Sequence, residues 1–168
     1  MNEFKVMVPG ASAAGIAEIK SPYDGAVVGT VEVIDQDGAE QALANASAYF
    51  DDRSQWLSVH ERVTVLEKTA ELMQEQFDEL VQLALSEGGK PFADSQVEVA
   101  RAIDGVKNCI ECVRSEHGTE IPMGINPASA NRLAMTSKEP IGPVMAVSAF
   151  NHPLNLIVHQ VGPAVASG

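Results

Sequence analysis

Glu139-Pro-Ile-Gly-Pro-Val-Met-Ala-Val-Ser-Ala-Phe-Asn-His-Pro-Leu-Asn155 is the stretch on which the fold turns. Its Val144-Met-Ala-Val147 is an unbroken apolar run, the pattern of a strand buried on both faces of a parallel sheet. Ser148 to His152 makes a turn out of that strand. Pro153 suits the first turn of a helix, where its missing N–H costs nothing and its fixed φ is already helical. An apolar helical pattern follows to Gly168. Strand, turn and helix start together predict free backbone N–H groups, with the Asn151 amide, at the carboxyl end of a strand. That is where open α/β sheets bind ligands.

Upstream of this unit, Arg132 to Lys138 alternates loosely like a strand exposed on one face, and Thr119 to Asn131, broken by Pro122, Gly124 and Pro127, reads as a loop. Val99, Ile103, Val106, Ile110 and Val113 recur at spacings of four and three, predicting a helix to near Gly118, with Ser95-Gln-Val-Glu98 as its capping box. A longer helix is predicted from a second capping box, Ser58-Val-His-Glu61. Its single stripe runs through Val59, Val63, Leu66, Ala70, Met73, Phe77, Leu80 and Ala84 for seven turns, until Gly88-Gly-Lys-Pro91 stops it. Ala39, Ala42, Leu43, Ala46, Tyr49 and Phe50 form the face of a first helix capped by Asp35 or Asp37. Before it, Ile19 to Ile34 reads as a β-hairpin turning at Pro22, Asp24 and Gly25. The first 18 residues read as a tail.

Composition narrows the function classes. A hydrophobic content of 45%, 20% charged residues and zero mean hydropathy describe an ordinary globular chain of 168 residues. Eleven basic against 23 acidic residues give a formal charge of −12. Such a charge repels a phosphate backbone or an anionic membrane, so neither nucleic acid nor membrane is expected as a partner. The start of the chain lacks a signal-peptide pattern and no window approaches a membrane span, so the expected location is cytoplasmic.

Four groups of residues invite a chemical reading. Cys109 and Cys112 form Cys-x-x-Cys, but they lie within a helical pattern with no second ligand pair, which favours packing over redox or zinc chemistry. His60, His117, His152 and His159 lack the spacing of a metal motif, so no metal is expected. Gly88-Gly-Lys90 follows a helix instead of a strand and lacks the rest of a phosphate loop, so it reads as a helix stop. Asn151 is the exception, because its amide can donate to a developing negative charge; the alternative is an ordinary Asx turn or N-cap. No Gly-x-Gly-x-x-Gly accompanies it.

Set side by side, Pro140-Ile-Gly-Pro-Val144, Ala149-Phe-Asn-His-Pro-Leu154 and Gly162-Pro-Ala-Val-Ala-Ser-Gly168 resemble a segment of the NAD(P)-dependent aldehyde dehydrogenases. Ser21-Pro-Tyr-Asp-Gly-Ala-Val-Val-Gly29 and Glu87-Gly-Gly-Lys-Pro91 are similar to two earlier motifs of that family, in the same order. The resemblance covers Ser21 to Gly168 and corresponds to the N-terminal part of the family only. It implies an α/β fold of aldehyde dehydrogenase type: an N-terminal hairpin and long helices (19–131), part of an oligomerisation β arm (132–138), and the first strand-helix unit of a parallel nucleotide-binding sheet (139–168).

For chemistry, the resemblance implies oxidation of a small aldehyde to an acid, with NAD or NADP, through a cysteine thiohemiacetal. Asn151 matches the asparagine that donates to the tetrahedral oxyanion, and Ser148, Ala149 and Phe150 match the turn along the cofactor. His152 stands where phenylalanine is usual, and Phe150 where tryptophan is common. Cys109 and Cys112 match no nucleophile. The family's next strand, its Lys-Pro segment, Gly-rich turn, glutamate and cysteine follow the point at which this sequence stops. The expectation is therefore the N-terminal portion of an oligomeric enzyme, inactive as a lone polypeptide. The alternative is a non-catalytic module that associates with other subunits.

Overall fold

The structure, a computed structural model, describes residues 2–168. Strands β1 (Asn2–Phe4), β2 (Gly15–Lys20) and β3 (Val27–Val33) form a three-stranded sheet in the order β1-β3-β2. β2 and β3 are the expected antiparallel hairpin, with Ile19 opposite Gly29 and a register shift at Lys20. β1 adds to the outer edge of β3 in parallel. The segment 1–18, expected as a tail, thus contributes β1 and the first four residues of β2; three residues of Asn-Glu-Phe carry too little pattern to announce a strand. Gly29 is required at this edge, because a Cβ there would stand 2.9 Å from the Asn2 carbonyl oxygen.

Helix α1 (Gln36–Asp51) starts as expected at Asp35, whose side chain accepts from the Gly38 N–H. Its apolar face lies open: Leu43 is 57% and Tyr49 61% exposed. A short 3₁₀ turn, Arg53–Gln55, follows. Helix α2 (Val59–Glu75) begins at the predicted capping box, with the Ser58 hydroxyl accepting from Glu61 N–H while Glu61 reaches back to Ser58 N–H.

The long helix expected from Val59 to Ala84 is two helices. It breaks at Gln76 (φ −97°, ψ 17°), and α3 runs from Phe77 to Gly88. The stripe is continuous in sequence, yet its two halves pack on different parts of the neighbouring helix. Val63, Leu66 and Ala70 bury with Ala102, Val106 and Ile110, whereas Val81 buries with Val99 and Ile103. A small change of direction at Gln76 lets each half meet its own partners.

Helix α4 (Phe92–Ser115) is the centre of the molecule, touching α2, α3 and α5 (Pro153–Ser167). Its predicted stripe is confirmed: Val99, Ile103, Val106 and Ile110 are all at most 5% exposed. The capping box predicted at Ser95–Glu98 is absent. The helix starts one turn earlier, at Phe92 behind Pro91, so Ser95 and Glu98 lie inside it and are buried. Gly89, at φ +62°, ends α3 in the left-handed conformation that the Gly88-Gly89 stop predicts.

Beyond α4, β4 (Glu120–Ile121) pairs antiparallel with β5 (Ala134–Met135), placing a short exposed arm where a single strand and a loop were expected. Val144 to Val147 is a correction of another kind. The run belongs to no strand and is exposed, at 61% for Val144, 87% for Met145 and 61% for Val147. Sheet strands need a hydrogen-bonding neighbour, and none of the described residues supplies one. Instead the Gln160 side chain stands in for a neighbour: its Oε1 accepts from Val147 N–H and its Nε2 donates to Val147 C=O, both at 2.8 Å.

Candidate functional site

The site is the N-terminal edge of α5 and the turn leading into it. Pro153 occupies the first turn of α5 as predicted, and Leu156 N–H bonds back to His152 C=O at 2.9 Å. The amides expected to be free here are not. Glu98, whose side chain is fully buried, points its Oε1 from α4 at the Leu154 and Asn155 N–H groups, at 3.0 and 3.3 Å. A carboxylate at this position satisfies two orphan donors and complements the helix dipole. It also fills the place an anionic ligand would take.

Glu98 Oε2 forms an ion pair with Lys90 Nζ and lies 3.4 Å from His152 Nδ1, and Lys90 Nζ stands 2.9 Å from the same Nδ1. Three segments, the α3–α4 connection, α4 and the start of α5, are therefore tied at one point beneath the turn. Burial pushes the Glu98 carboxyl upward, but the Lys90 ammonium and the two backbone amides outweigh it and hold the group below the ordinary carboxylate range. Burial first, and the Glu98 charge second, push the neighbouring Glu87 carboxyl up.

Above this anchor the four residues picked out by sequence sit on one continuous exposed turn. Ser148 Oγ donates to the Pro153 carbonyl at 2.8 Å, closing the turn. Ala149 is half-buried, Phe150 is 91% exposed and Asn151 is exposed at the turn's end. An open cleft of about 500 Å³ lies alongside, between Lys90, Glu98 and Arg101 on α4's side and His152 and Asn155 on α5's.

The cysteines are elsewhere. Cys109 and Cys112 are both unbridged thiols. Cys109 packs against α5 near Gly162, where a Cβ would come within 3.1 Å of its sulfur. Gly162 is nine residues beyond Pro153, so at 1.5 Å per residue the thiol lies roughly 14 Å along the helix from the Asn151 turn. Burial, and secondarily Cys112, push the Cys109 thiol up, away from the thiolate a nucleophile needs. No metal-binding cluster occurs among the described residues.

Glu98 and Lys90 are the residues that sequence reasoning missed. A signal existed: Ser95, Glu98, Ala102 and Val106 fall on one face at helical spacing, which places Glu98 on the buried side once α4 is extended back to Phe92.

Compared with known proteins, residues 8–168 match the family described as "Aldehyde dehydrogenase family". The chain belongs to the aldehyde dehydrogenase family. It is 34% identical over 151 residues to the 3-sulfolactaldehyde dehydrogenase of Priestia megaterium, covering 90% of this chain and 31% of that protein. It is 30% identical over 151 residues to a lactaldehyde dehydrogenase of Methanocaldococcus jannaschii, with 90% and 31% covered. Among solved structures it superposes on aldehyde dehydrogenase 21 of Physcomitrella patens, in complex with the reaction product succinate, at a TM-score of 0.88 with 28% identity, covering 99% of this chain and 35% of that one. The NADP complex of GapN from M. jannaschii gives a TM-score of 0.81 and 30% identity over 90% of this chain and 32% of that one. The chain thus spans about a third of the length of these relatives. Its α/β architecture is that of the N-terminal segment of an aldehyde dehydrogenase.

Proposed function

We propose that these residues form the N-terminal part of an enzyme that oxidises a small aldehyde to an acid, with Asn151 as an oxyanion donor. The observation that carries this reading is the placement of Asn151: an exposed residue on a turn that Ser148 closes and Glu98 anchors from below. A donor fixed before the reaction stabilises the charge that develops on the carbonyl oxygen without having to reorganise. Family membership supports the reaction class, and the names of the relatives support aldehydes as substrates.

NAD or NADP, when bound, supplies the hydride acceptor. This chain's residues fit one side of such a ligand. Ala149 and Phe150 offer an apolar wall, and Ser148 holds the turn closed. They do not form a phosphate cradle, because Glu98 already occupies the Leu154 and Asn155 amides of α5. The phosphates of such a ligand would have to be held by donors other than these two amides.

The nucleophile also lies outside residues 1–168 in this reading, since Cys109 is remote and its thiol is pushed up. As a lone polypeptide the chain is inactive. The purified chain incubated with simple aldehydes and either NAD or NADP gives no increase in reduced cofactor absorbance. Aldehyde-dependent reduction that disappears in Asn151→Ala would overturn this part of the proposal. The exposed β4–β5 arm supports assembly into an oligomer, and a chain without a membrane-spanning helix among its described residues suits a cytoplasmic enzyme.

A further inference from the structure

Among the described residues, no hydrogen bond reaches Phe150 or Asn151, the exposed end of the turn. The Asn151 position is therefore set through its neighbours in the chain. The residue that follows it, His152, is the N-cap of α5 but makes no side-chain capping bond. Its ring meets two residues outside α5 instead: Nδ1 lies 2.9 Å from Lys90 Nζ and 3.4 Å from Glu98 Oε2. Lys90 is a firm support, because its side chain is largely buried and paired with the fully buried Glu98, which in turn holds the Leu154 and Asn155 N–H groups.

An ammonium has three donors and no acceptor, so Nδ1 receives the Lys90 hydrogen bond and the neutral ring carries its proton on Nε2. Protonation changes the partner. Nδ1 then becomes a donor and can no longer receive from Lys90, and the acceptor within reach is Glu98 Oε2, which Lys90 already engages. The ring must shift, and the turn joined to it shifts too. The charged groups around the ring are Lys90 from the α3–α4 connection and Asp94, Glu98 and Arg101 from α4; Glu87, near the end of α3, interacts with the Glu98 charge, and the first turn of α5 carries no charged side chain.

We infer that His152 is a positioning residue for the oxyanion donor: its neutral ring, held by Lys90, keeps the Asn151 turn seated on α4. This rests on the role proposed above for Asn151. It also makes that role sensitive to pH, because the seat exists only while His152 Nδ1 is an acceptor.

The test measures kcat and KM for propionaldehyde and lactaldehyde in the complete enzyme carrying these residues. His152→Ala, at a side chain 44% exposed, is expected to lower kcat about tenfold with little change in KM, since a small misplacement of a group that acts in the transition state is felt there. A residue that acts through Asn151 has nothing left to act on once Asn151 is gone, so His152→Ala should cost nothing further in an Asn151→Ala background. His152→Asn places an oxygen acceptor near the position of Nδ1 and does not titrate. It should keep most of kcat, and the ratio of wild-type to His152→Asn kcat should fall as pH is lowered from 8 towards 5.5. A His152→Ala kcat within twofold of the wild type, additive losses in the double variant, or a ratio constant with pH overturns the inference. Turnover of neither aldehyde, or an Asn151→Ala variant as fast as the wild type, overturns the proposed function and this inference with it. Nitrogen-15 spectra of the 168-residue chain read the bond to Lys90 without turnover: the proton of the neutral ring is expected on Nε2, and a proton on Nδ1 contradicts the assignment.

Discussion

Glu98 is the residue on which the site depends. Its buried carboxylate joins Lys90 to the first turn of α5; in Glu98→Gln the amide oxygen still accepts from the two N–H groups, but the Lys90 ammonium loses its counter-ion. Breaking one side of a buried pair costs about 3 kcal/mol or more, and Glu98→Gln should lose that much in urea unfolding at pH 7. The pH dependence has a definite sign. A carboxyl held below its unfolded value of 4.5 contributes stability that is fully present above that value. The contribution is lost as pH falls through the folded-state value. Unfolding midpoints measured downward from pH 6 should therefore decline in the wild type, with a shallower decline in Glu98→Gln. Identical slopes would contradict the assignment.

At the scale of elements, periodicity made most of the fold legible. The stripes of α2 and α4, the hairpin of β2 and β3, the caps at Asp35 and Ser58 and the stop at Gly89 all follow from local chemistry. What could not be read depends on contacts distant in sequence. The Gln76 break arises because the halves of one stripe meet different partners on α4, and Glu98 looks like a cap until α4's earlier start turns it inward. The Asn151 turn was legible as a position, whereas its support by Glu98, Lys90 and Gln160 spans separations that no local pattern encodes.

Two glycines test the element boundaries. Gly89→Ala places a Cβ on a residue at φ +62° and 2.8 Å from Pro22 Cγ. Left-handed backbone alone costs a non-glycine residue about 1–2 kcal/mol, so the variant should lose at least that in denaturant unfolding. Gly118→Ala puts a Cβ 1.7 Å from the Thr136 carbonyl oxygen. That oxygen cannot move without disturbing the arm. Amide exchange at Thr136, whose N–H bonds Thr119 C=O at 2.9 Å, should accelerate while exchange in α4 stays unchanged.

For the molecule as a whole, the distribution of apolar surface matters most. The helices around α4 form a core, but Met145, Val147 and Phe150 stand exposed in a row without a sheet neighbour, and α1 leaves Leu43 and Tyr49 open. Contiguous apolar surface next to unpaired backbone favours association. The 168-residue chain should therefore elute from size exclusion as concentration-dependent assemblies, and Met145→Lys with Val147→Lys should shift it towards the monomer. A monomer at all concentrations would show that these surfaces are not adhesive.

The central claim is that the turn on α5 supplies the oxyanion donor of an aldehyde dehydrogenase. It is tested most directly by kcat for aldehyde oxidation in the complete enzyme carrying Asn151→Ala. The account predicts a fall of about 10²- to 10³-fold, the usual consequence of losing one oxyanion donor, with little change in KM. A kcat within twofold of the wild type would contradict it.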